Sequence, residues 1–352
     1  MKYGIFLLFF LFSTPVLFSQ ALLRADGPGD TYELIASVLA PGYWPLETPD
    51  CSHEQFGRHI DETMDSLLNE YVFRFFIHVT PDDDRCINPD RQRNEIKVYE
   101  KSPDSLKGFR GDRMVYEWMF RLDSLFQPSS SFTHIHQLKA VGGEEDGMPV
   151  MTLTPRKASP DILQLRYAES DDPVTLATVP LSEIKGRWIR VREEVQYDEN
   201  GSYEITLSYV ADSTEIFHFR RDAIRMWRTG AAFIRPKWGI YRSLAHAGQL
   251  RDEEVLFNDF FIQKISSLTT EEPFAGAGIR VYPNPVTDVL HFDLSGDAQI
   301  VFRRIYDITG RVVRENHDRR ARHADVSQLP AGFYYIEFRE GTNVVLRRFV
   351  RQ

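Results

Sequence analysis

Cysteine is nearly absent from this chain: among 352 residues there are two, Cys51 and Cys86. Two thiols exclude a disulfide-dense miniature scaffold, and they are too few to hold a structural metal by themselves. Long apolar runs are also missing. The one strongly hydrophobic stretch, residues 5–12, is far shorter than the roughly 20 residues a spanning helix needs, and no later stretch approaches that length. Positive charge is not in excess, since the formal net charge is −9. Without a basic patch interleaved with aromatics, nucleic acid is not an expected partner. No Gly-rich loop follows a strand, and no rhythm of about 30 residues marks βαβ units, so nucleotide binding is disfavoured.

What remains is ordinary globular composition, 42% hydrophobic and 26% charged, in a chain long enough for one large domain and a small one. Residues 1–19 read as a secretory signal: Lys2, the apolar run, Pro15, and small Ser19 before a cut ahead of Gln20. Export through the periplasm places both cysteines in an oxidising compartment, so a Cys51–Cys86 disulfide is expected. Charge is uneven. Residues 280–352 carry 12 Arg and 9 acidic residues, a net of +3, which leaves −12 on residues 1–279.

Residues 25–60 are punctuated by Pro and Gly, with a strand-like piece at 32–39. Ile60, Met64, Leu67, Leu68 and Tyr71 recur at helical spacing, which predicts a short amphipathic helix over 60–71. From residue 71 the period changes to two. Strands are predicted at 71–80, 95–99, 114–122, 132–140, 148–155, 162–168, 188–196, 203–210, 215–220, 237–243 and 254–264. Within 188–195, Ile189, Val191 and Val195 face one side, opposite Trp188, Arg190, Arg192 and Glu194. Ten or so short strands with turn signals between them point to an all-β, two-sheet sandwich or jelly roll over 20–265. A polar, small-residue connector follows at 266–279, and a compact β-sandwich of at most seven strands at 280–352.

The C-terminal segment carries Tyr282-Pro283-Asn284-Pro285, Ile305-Tyr306-Asp307 with Gly310-Arg311, Leu329-Pro330-Ala331-Gly332-Phe333-Tyr334, and a basic last strand. It closely resembles the C-terminal sorting domain of type IX secretion substrates in Bacteroidetes, an Ig-like module. The resemblance implies passage across the outer membrane by the type IX machinery, removal of the domain, and release or attachment at the cell surface.

Three blocks in the larger segment carry candidate chemistry. In Arg93-Asn94-Glu95-Ile96-Lys97, an extended chain puts Arg93, Glu95 and Lys97 on one face. Such a row is either an ordinary solvated charged face or the wall of an anionic-sugar cleft, where the Arg fork matches a carboxylate. In Ser131–Lys139, His134 and His136 point one way and Ile135 the other. In Lys237-Trp238-Gly239-Ile240-Tyr241, the residues Lys237, Gly239 and Tyr241 share a face, where Gly239 either leaves room for a ligand or marks a bulge. Together and in this order, the blocks resemble the jelly-roll polysaccharide lyases of the alginate lyase and heparin lyase I type, with a concanavalin A-like sandwich. Lys97 stands where that family has a second Arg, and His134 where alginate lyases have Gln.

The resemblance implies β-elimination at a uronic acid in an acidic polysaccharide. Arg93 and His134 would neutralise the sugar carboxylate, while His136 and Tyr241 would divide the roles of base and acid, in an order that sequence leaves open. Glu95, Lys97, Lys237, Arg190 and Arg192 are the expected substrate-binding residues. No cofactor and no metal-ligand pattern stands out; Asp82-Asp83-Asp84 could hold a structural calcium ion but fits a plain solvated turn better. Trp118, Trp188, Trp227 and Trp238 fit core positions better than sugar platforms, and His218 reads as structural. A monomer is expected. The rival reading is a non-catalytic carbohydrate-binding or adhesin module on the same sandwich, which would retain glycan without cleaving it. A retaining glycoside hydrolase would need paired carboxylates, and no Glu-x-Asp-x-x-Glu strand is present.

Overall fold

The computed structural model describes residues 20–265, 279–293, 301–307, 312–316, 318, 321–340 and 343–352. The expected signal segment 1–19 and all but the last residue of the 266–279 connector lie outside the described residues. The described residues fall into two compact units, one ending at Ile265 and one beginning at Ile279.

The larger unit holds β1 (Gln20–Leu23), α1 (Thr31–Leu39), β2 (Leu46–Glu47), β3 (Ile60–Asp65), β4 (Glu70–Ile77), β5 (Arg91–Lys97), β6 (Arg113–Leu122) and β7 (Thr133–Val141). It continues with β8 (Met151–Arg156), β9 (Ile162–Ala168), β10 (Pro173–Pro180), β11 (Ile189–Gln196), β12 (Gly201–Tyr209), β13 (Glu215–Ile224), β14 (Phe233–Ser243) and β15 (Glu253–Ile265). One sheet is ordered β13-β12-β11-β6-β15-β4-β3 with β1 added against β15, and the other β10-β9-β8-β7-β14-β5-β2. The chain changes sheet from β1 to β2, β2 to β3, β4 to β5, β5 to β6, β6 to β7, β10 to β11, β13 to β14 and β14 to β15. That alternation makes a jelly-roll sandwich.

Period-two patterning supplies the core between the sheets. Trp118, Phe257 and Phe260 enter from the first sheet, and Ile96, Ile135 and Trp238 from the second, all at most 1% exposed. The Trp238 ring lies 5.1 Å from that of Phe260, so the two sheets touch through aromatic rings. Trp118, Trp188, Trp227 and Trp238 are all buried, as their core reading expected. Cys51 and Cys86 are joined, with Cα atoms 6.2 Å apart.

Two elements differ from the sequence expectation. The piece expected to be strand-like at 32–39 is the helix α1, because Tyr32, Ile35, Ala36 and Leu39 form one buried stripe at helical spacing. The helix expected over 60–71 is instead the hairpin β3–β4. The Asp65 carboxylate accepts from the Leu67 and Leu68 amides at 2.9 and 3.0 Å, and Asn69 turns at φ +55°. These local bonds favour a turn over a helix. Met64 and Leu67, two of the five residues in the apparent apolar stripe, are 52% and 67% exposed.

The smaller unit holds β16 (Arg280–Tyr282), β17 (Val289–Asp293), β18 (Val301–Asp307), β19 (Val312–Glu315), β20 (His323–Asp325), β21 (Gly332–Glu340) and β22 (Asn343–Arg351). Its sheets run β16-β17-β20 and β19-β18-β21-β22, around a core of Leu290, Phe292, Phe302, Ile305, Ile336, Phe338 and Phe349.

Candidate active site

Strand β14 is the spine of the site, paired with β5 on one side and β7 on the other. Tyr241 stands opposite Arg93 across one ladder and opposite His134 across the other. On β14 strict alternation holds: Trp238 and Ile240 are fully buried in the core, while Tyr241 lines the outer cleft. The β7 register slips. Trp238 faces His136 and Tyr241 faces His134, so β14 has one residue more than β7 over that span. This bulge turns His134 and Gln137, three residues apart, onto the same outer face. Gly239 sits in it at φ +143°, and an added Cβ would lie 2.1 Å from the Asn94 carbonyl oxygen. Gly239 therefore serves the bulge and the close approach of β5, and leaves no room for a ligand.

The cleft has a volume of about 410 Å³. Arg91, Arg93, Lys139, Arg156 and Arg166 line it, and no Asp or Glu is among the described residues that do so. His134 and Tyr241 meet in it with ring centroids 5.8 Å apart. The Nδ1 atom of His134 is 2.7 Å from the Thr154 hydroxyl, which donates onward to Thr152 at 3.0 Å. A hydroxyl that gives its proton to Thr152 accepts from His134, which leaves the imidazole Nε2 as a free lone pair. Burial pulls the His134 pKa down to about 3; Glu95 opposes this, and Arg166, Arg93 and Arg156 add to it. The ring is neutral across the working pH range.

Tyr241 is held by two guanidinium groups. Arg91 donates from Nη1 to the phenol oxygen at 3.0 Å, and Arg93 lies 3.6 Å above the ring centroid. Arg91 is itself forked onto Asp90 through contacts of 2.6 and 2.8 Å. Because Arg91 donates to Oη, the phenol proton stays free for another acceptor.

Arg93 is fixed from below. Its Nε donates to Asp84 at 2.8 Å and its Nη1 to Glu95 at 2.6 Å. Lys237 Nζ lies 2.6 Å from both Glu95 and Glu47, and Lys97 reaches Glu47 at 2.8 Å. Burial works against the charge on Glu95, and Lys237 and Arg93 outweigh it, so the carboxyl stays below its usual range. The same balance holds Glu47 well below that range, with Lys237, Arg93 and Lys97 overriding burial. Gln137 donates to Glu95.

The residues expected from sequence thus separate into three groups. Arg93, His134 and Tyr241 come together at the cleft. Glu95, Lys97 and Lys237, expected to bind substrate, are tied up in the ion network under the cleft floor and position Arg93 and Gln137. His136, Arg190 and Arg192 lie elsewhere. His136 points into the core between Trp118 and Trp238, because the bulge reverses the alternation after Ile135. Its Nδ1 donates to the Lys237 carbonyl at 2.9 Å, and its Nε2 is 2.7 Å from Glu193, which also accepts from Tyr203 at 2.6 Å. Arg190 and Arg192 belong to β11 in the opposite sheet, where Arg192 pairs with Glu117 and Glu194. Arg91, Lys139, Arg156, Arg166 and Gln137 were missed. Arg91 shares the parity of Arg93 on its strand, and that was the available signal. The expected solvated turn at Asp82-Asp83-Asp84 is another correction, since Asp82 and Asp84 are 2% and 1% exposed.

Residues 71–261 match the family model described as Polysaccharide lyase, more than half of the chain. The chain belongs to the polysaccharide lyase family. Residues 280–352 match the Secretion system C-terminal sorting domain, so this lyase carries the type IX address for secretion or cell-surface attachment. Among the described residues no helix is long and apolar enough to cross a membrane. The lyase is similar to solved structures of an endo-β-1,4-glucuronan lyase from Trichoderma reesei (18% identity, 58% of this chain and 86% of that one, TM-score 0.42). It is also similar to an alginate lyase from Aplysia kurodai (14% identity, 69% of this chain and 98% of that one, TM-score 0.48). An alginate lyase from Pseudomonas aeruginosa is a further one (15% identity, 62% and 97%, TM-score 0.40). No curated protein matches the chain.

Proposed function

We propose that this lyase cleaves a uronic-acid-containing polysaccharide by β-elimination, with Tyr241 and His134 as the proton-handling pair. The observation that carries the reading is the cleft itself: five cationic side chains, no lining carboxylate among the described residues, and an imidazole and a phenol side by side.

The chemistry sets the requirements. The C5–H of a uronate lies next to a carboxylate and is weakly acidic, so that carboxylate must be neutralised as negative charge spreads into it. The cationic wall of Arg156, Arg166 and Lys139 supplies the attraction, and Gln137, facing the same cleft, an amide. His134 faces the cleft with Nε2 unprotonated, placed to take the C5 proton. With a pKa of about 3 it is a weak base in the free protein, and the role requires the bound uronate carboxylate beside it to favour the protonated ring. Tyr241 is suited to protonate the departing O4, with Arg91 stabilising the negative charge left on its oxygen. Arg93 does not reach for substrate, because Asp84, Glu95 and the Tyr241 ring occupy its guanidinium. It fixes the phenol's position. The adhesin alternative keeps the attraction for glycan but gives these two groups no proton to move.

Incubation of the protein with polyuronates and with neutral glucans tests the proposal, read by the ultraviolet absorbance of unsaturated chain ends. The reading expects absorbance from at least one polyuronate and none from neutral chains. Retention of polyuronate with no absorbance would favour the adhesin instead.

A further inference from the structure

A second cluster of chemistry-bearing side chains lies outside the cleft. His53 is in the loop after β2, His59 directly before β3, His78 directly after β4, and Asp82 in the turn leading to β5. The Phe76 amide donates to the His59 carbonyl at 2.9 Å, which brings the ends of β3 and β4 together and sets His59 near His78. Asp82 is 2% exposed and is surrounded by the three imidazoles. Its Oδ1 lies 2.9 Å from His53 Nδ1 and 3.2 Å from His59 Nε2, and its Oδ2 lies 3.1 Å from His78 Nδ1. One donor atom from each of the four residues falls within 4.8 Å of all the others.

We propose that His53, His59, His78 and Asp82 form a structural site for a zinc-class divalent cation. Hydrogen-bond polarity gives the first reason. His59 Nδ1 faces Gly57 O at 3.0 Å and Asp50 Oδ1 at 2.8 Å, two groups that only accept. Nδ1 therefore carries hydrogen, and Nε2 meets the Asp82 carboxylate with its other face. With Nδ1 carrying hydrogen, either a second ring proton or a bound cation lies between Nε2 and the carboxylate at 3.2 Å. With His53 and His78 turned to the same carboxylate, one cation can serve all three imidazoles. A carboxylate behind a metal-binding imidazole is the usual way such a ligand is oriented, and Asp50 is in turn held by the Tyr32 hydroxyl at 2.9 Å.

Spacing and donor type give the second reason. Tetrahedral zinc with ligand bonds near 2.0–2.1 Å separates its ligands by about 3.3 Å, close to the nitrogen–oxygen distances already present. Three neutral nitrogens and one carboxylate suit zinc and its neighbours in the first transition row, whereas calcium takes oxygen ligands.

The surroundings give the third. Phe56 covers the group, its ring centroid 4.4 Å from His78, 4.7 Å from His59 and 5.3 Å from His53. The His53 and His78 side chains keep 21% and 18% exposure, enough for an ion to enter. The Cys51–Cys86 disulfide joins the loop carrying His53 to the turn carrying Asp82, and Asp83 N donates to Ser52 Oγ at 3.2 Å across the same junction.

The site bears on the cleft. Asp84, two residues beyond Asp82, accepts from Arg93 Nε, and Gln92 on the same strand donates to the Asp82 carbonyl at 2.9 Å. A cation at Asp82 would brace the turn that fixes Arg93 beneath Tyr241, without touching substrate.

The test uses the full chain, free of any affinity tag, with its disulfide intact and stripped by chelator, then titrated with Zn²⁺, Co²⁺ or Ca²⁺. The expected result is one equivalent of Zn²⁺ or Co²⁺, tetrahedral ligand-field bands for Co²⁺, and a raised Tm, with no response to Ca²⁺. His78→Gln changes a partly exposed side chain, so the variant should fold, and it should lose the Co²⁺ bands. Asp50→Asn should weaken affinity by about 10–100-fold. A folded wild type that binds no Zn²⁺ or Co²⁺, unchanged affinity in folded His78→Gln, or an equal response to Ca²⁺ would each overturn the proposal.

Discussion

At the scale of single residues, the cleft divides its cations by environment. Arg91 holds the carboxylate of Asp90 and Arg93 those of Asp84 and Glu95, whereas among the described residues the Lys139 ammonium donates to the Gly147 carbonyl at 2.9 Å. Burial, with Lys237, Arg93 and Arg235 adding to it, lowers the Lys139 pKa to about 8, and Asp146 only partly offsets this. The positive form is therefore complete well below pH 8 and is lost as pH rises through that value. KM for a polyuronate should rise above about pH 8 while the low-pH limb stays flat, and Lys139→Met should remove the rise; initial rates across pH check this. Arg93, His134 and Tyr241 were legible in the sequence because each lies in a short block with a clear strand parity. His136 was not. Its placement depends on where a bulge falls between two strands about 100 residues apart in the chain, and no local pattern encodes that. Lys139, Arg156 and Arg166 were hidden for a related reason: the ladders that gather them into one wall join separate strands.

At the scale of elements, the site depends on that bulge in the β7–β14 ladder. It brings His134 and Gln137 to one face and sends His136 inward to Glu193. Gly239→Ala would force a Cβ against the β5 backbone, 2.1 Å from Asn94 O and 2.7 Å from Glu95 Cα, at a φ of +143°. Neither obstacle is a flexible side-chain end. We expect a loss of about 3 kcal/mol or more in stability, seen as a lower denaturation midpoint, with activity falling further than stability as the Arg93 strand is pushed away. The strands of the sandwich could be read because their core side alternates. The β3–β4 hairpin was mistaken for a helix because Met64 and Leu67 are apolar yet exposed, and only the Asp65 turn bonds separate the two readings.

At the scale of the whole molecule, catalysis and export are assigned to separate parts of the chain. The two units have separate hydrophobic cores with no shared residue, and the lyase match ends before the sorting match begins. A protein comprising residues 20–265 should therefore fold and keep the kcat/KM of the full chain; parallel kinetics on the two forms check this. The uneven charge falls into place here: the unit with the cationic cleft is acidic overall, so its positive wall is a local construction that net charge conceals. The central claim is that Tyr241 and His134 move protons during cleavage of a uronate chain. Its most direct measurement is the rate at which unsaturated ends form from the best polyuronate with Tyr241→Phe, which deletes one hydroxyl from the cleft and no core contact. The account predicts a fall in kcat of about 10²–10⁴-fold with KM little changed; a variant that cleaves as fast as the wild type would contradict it.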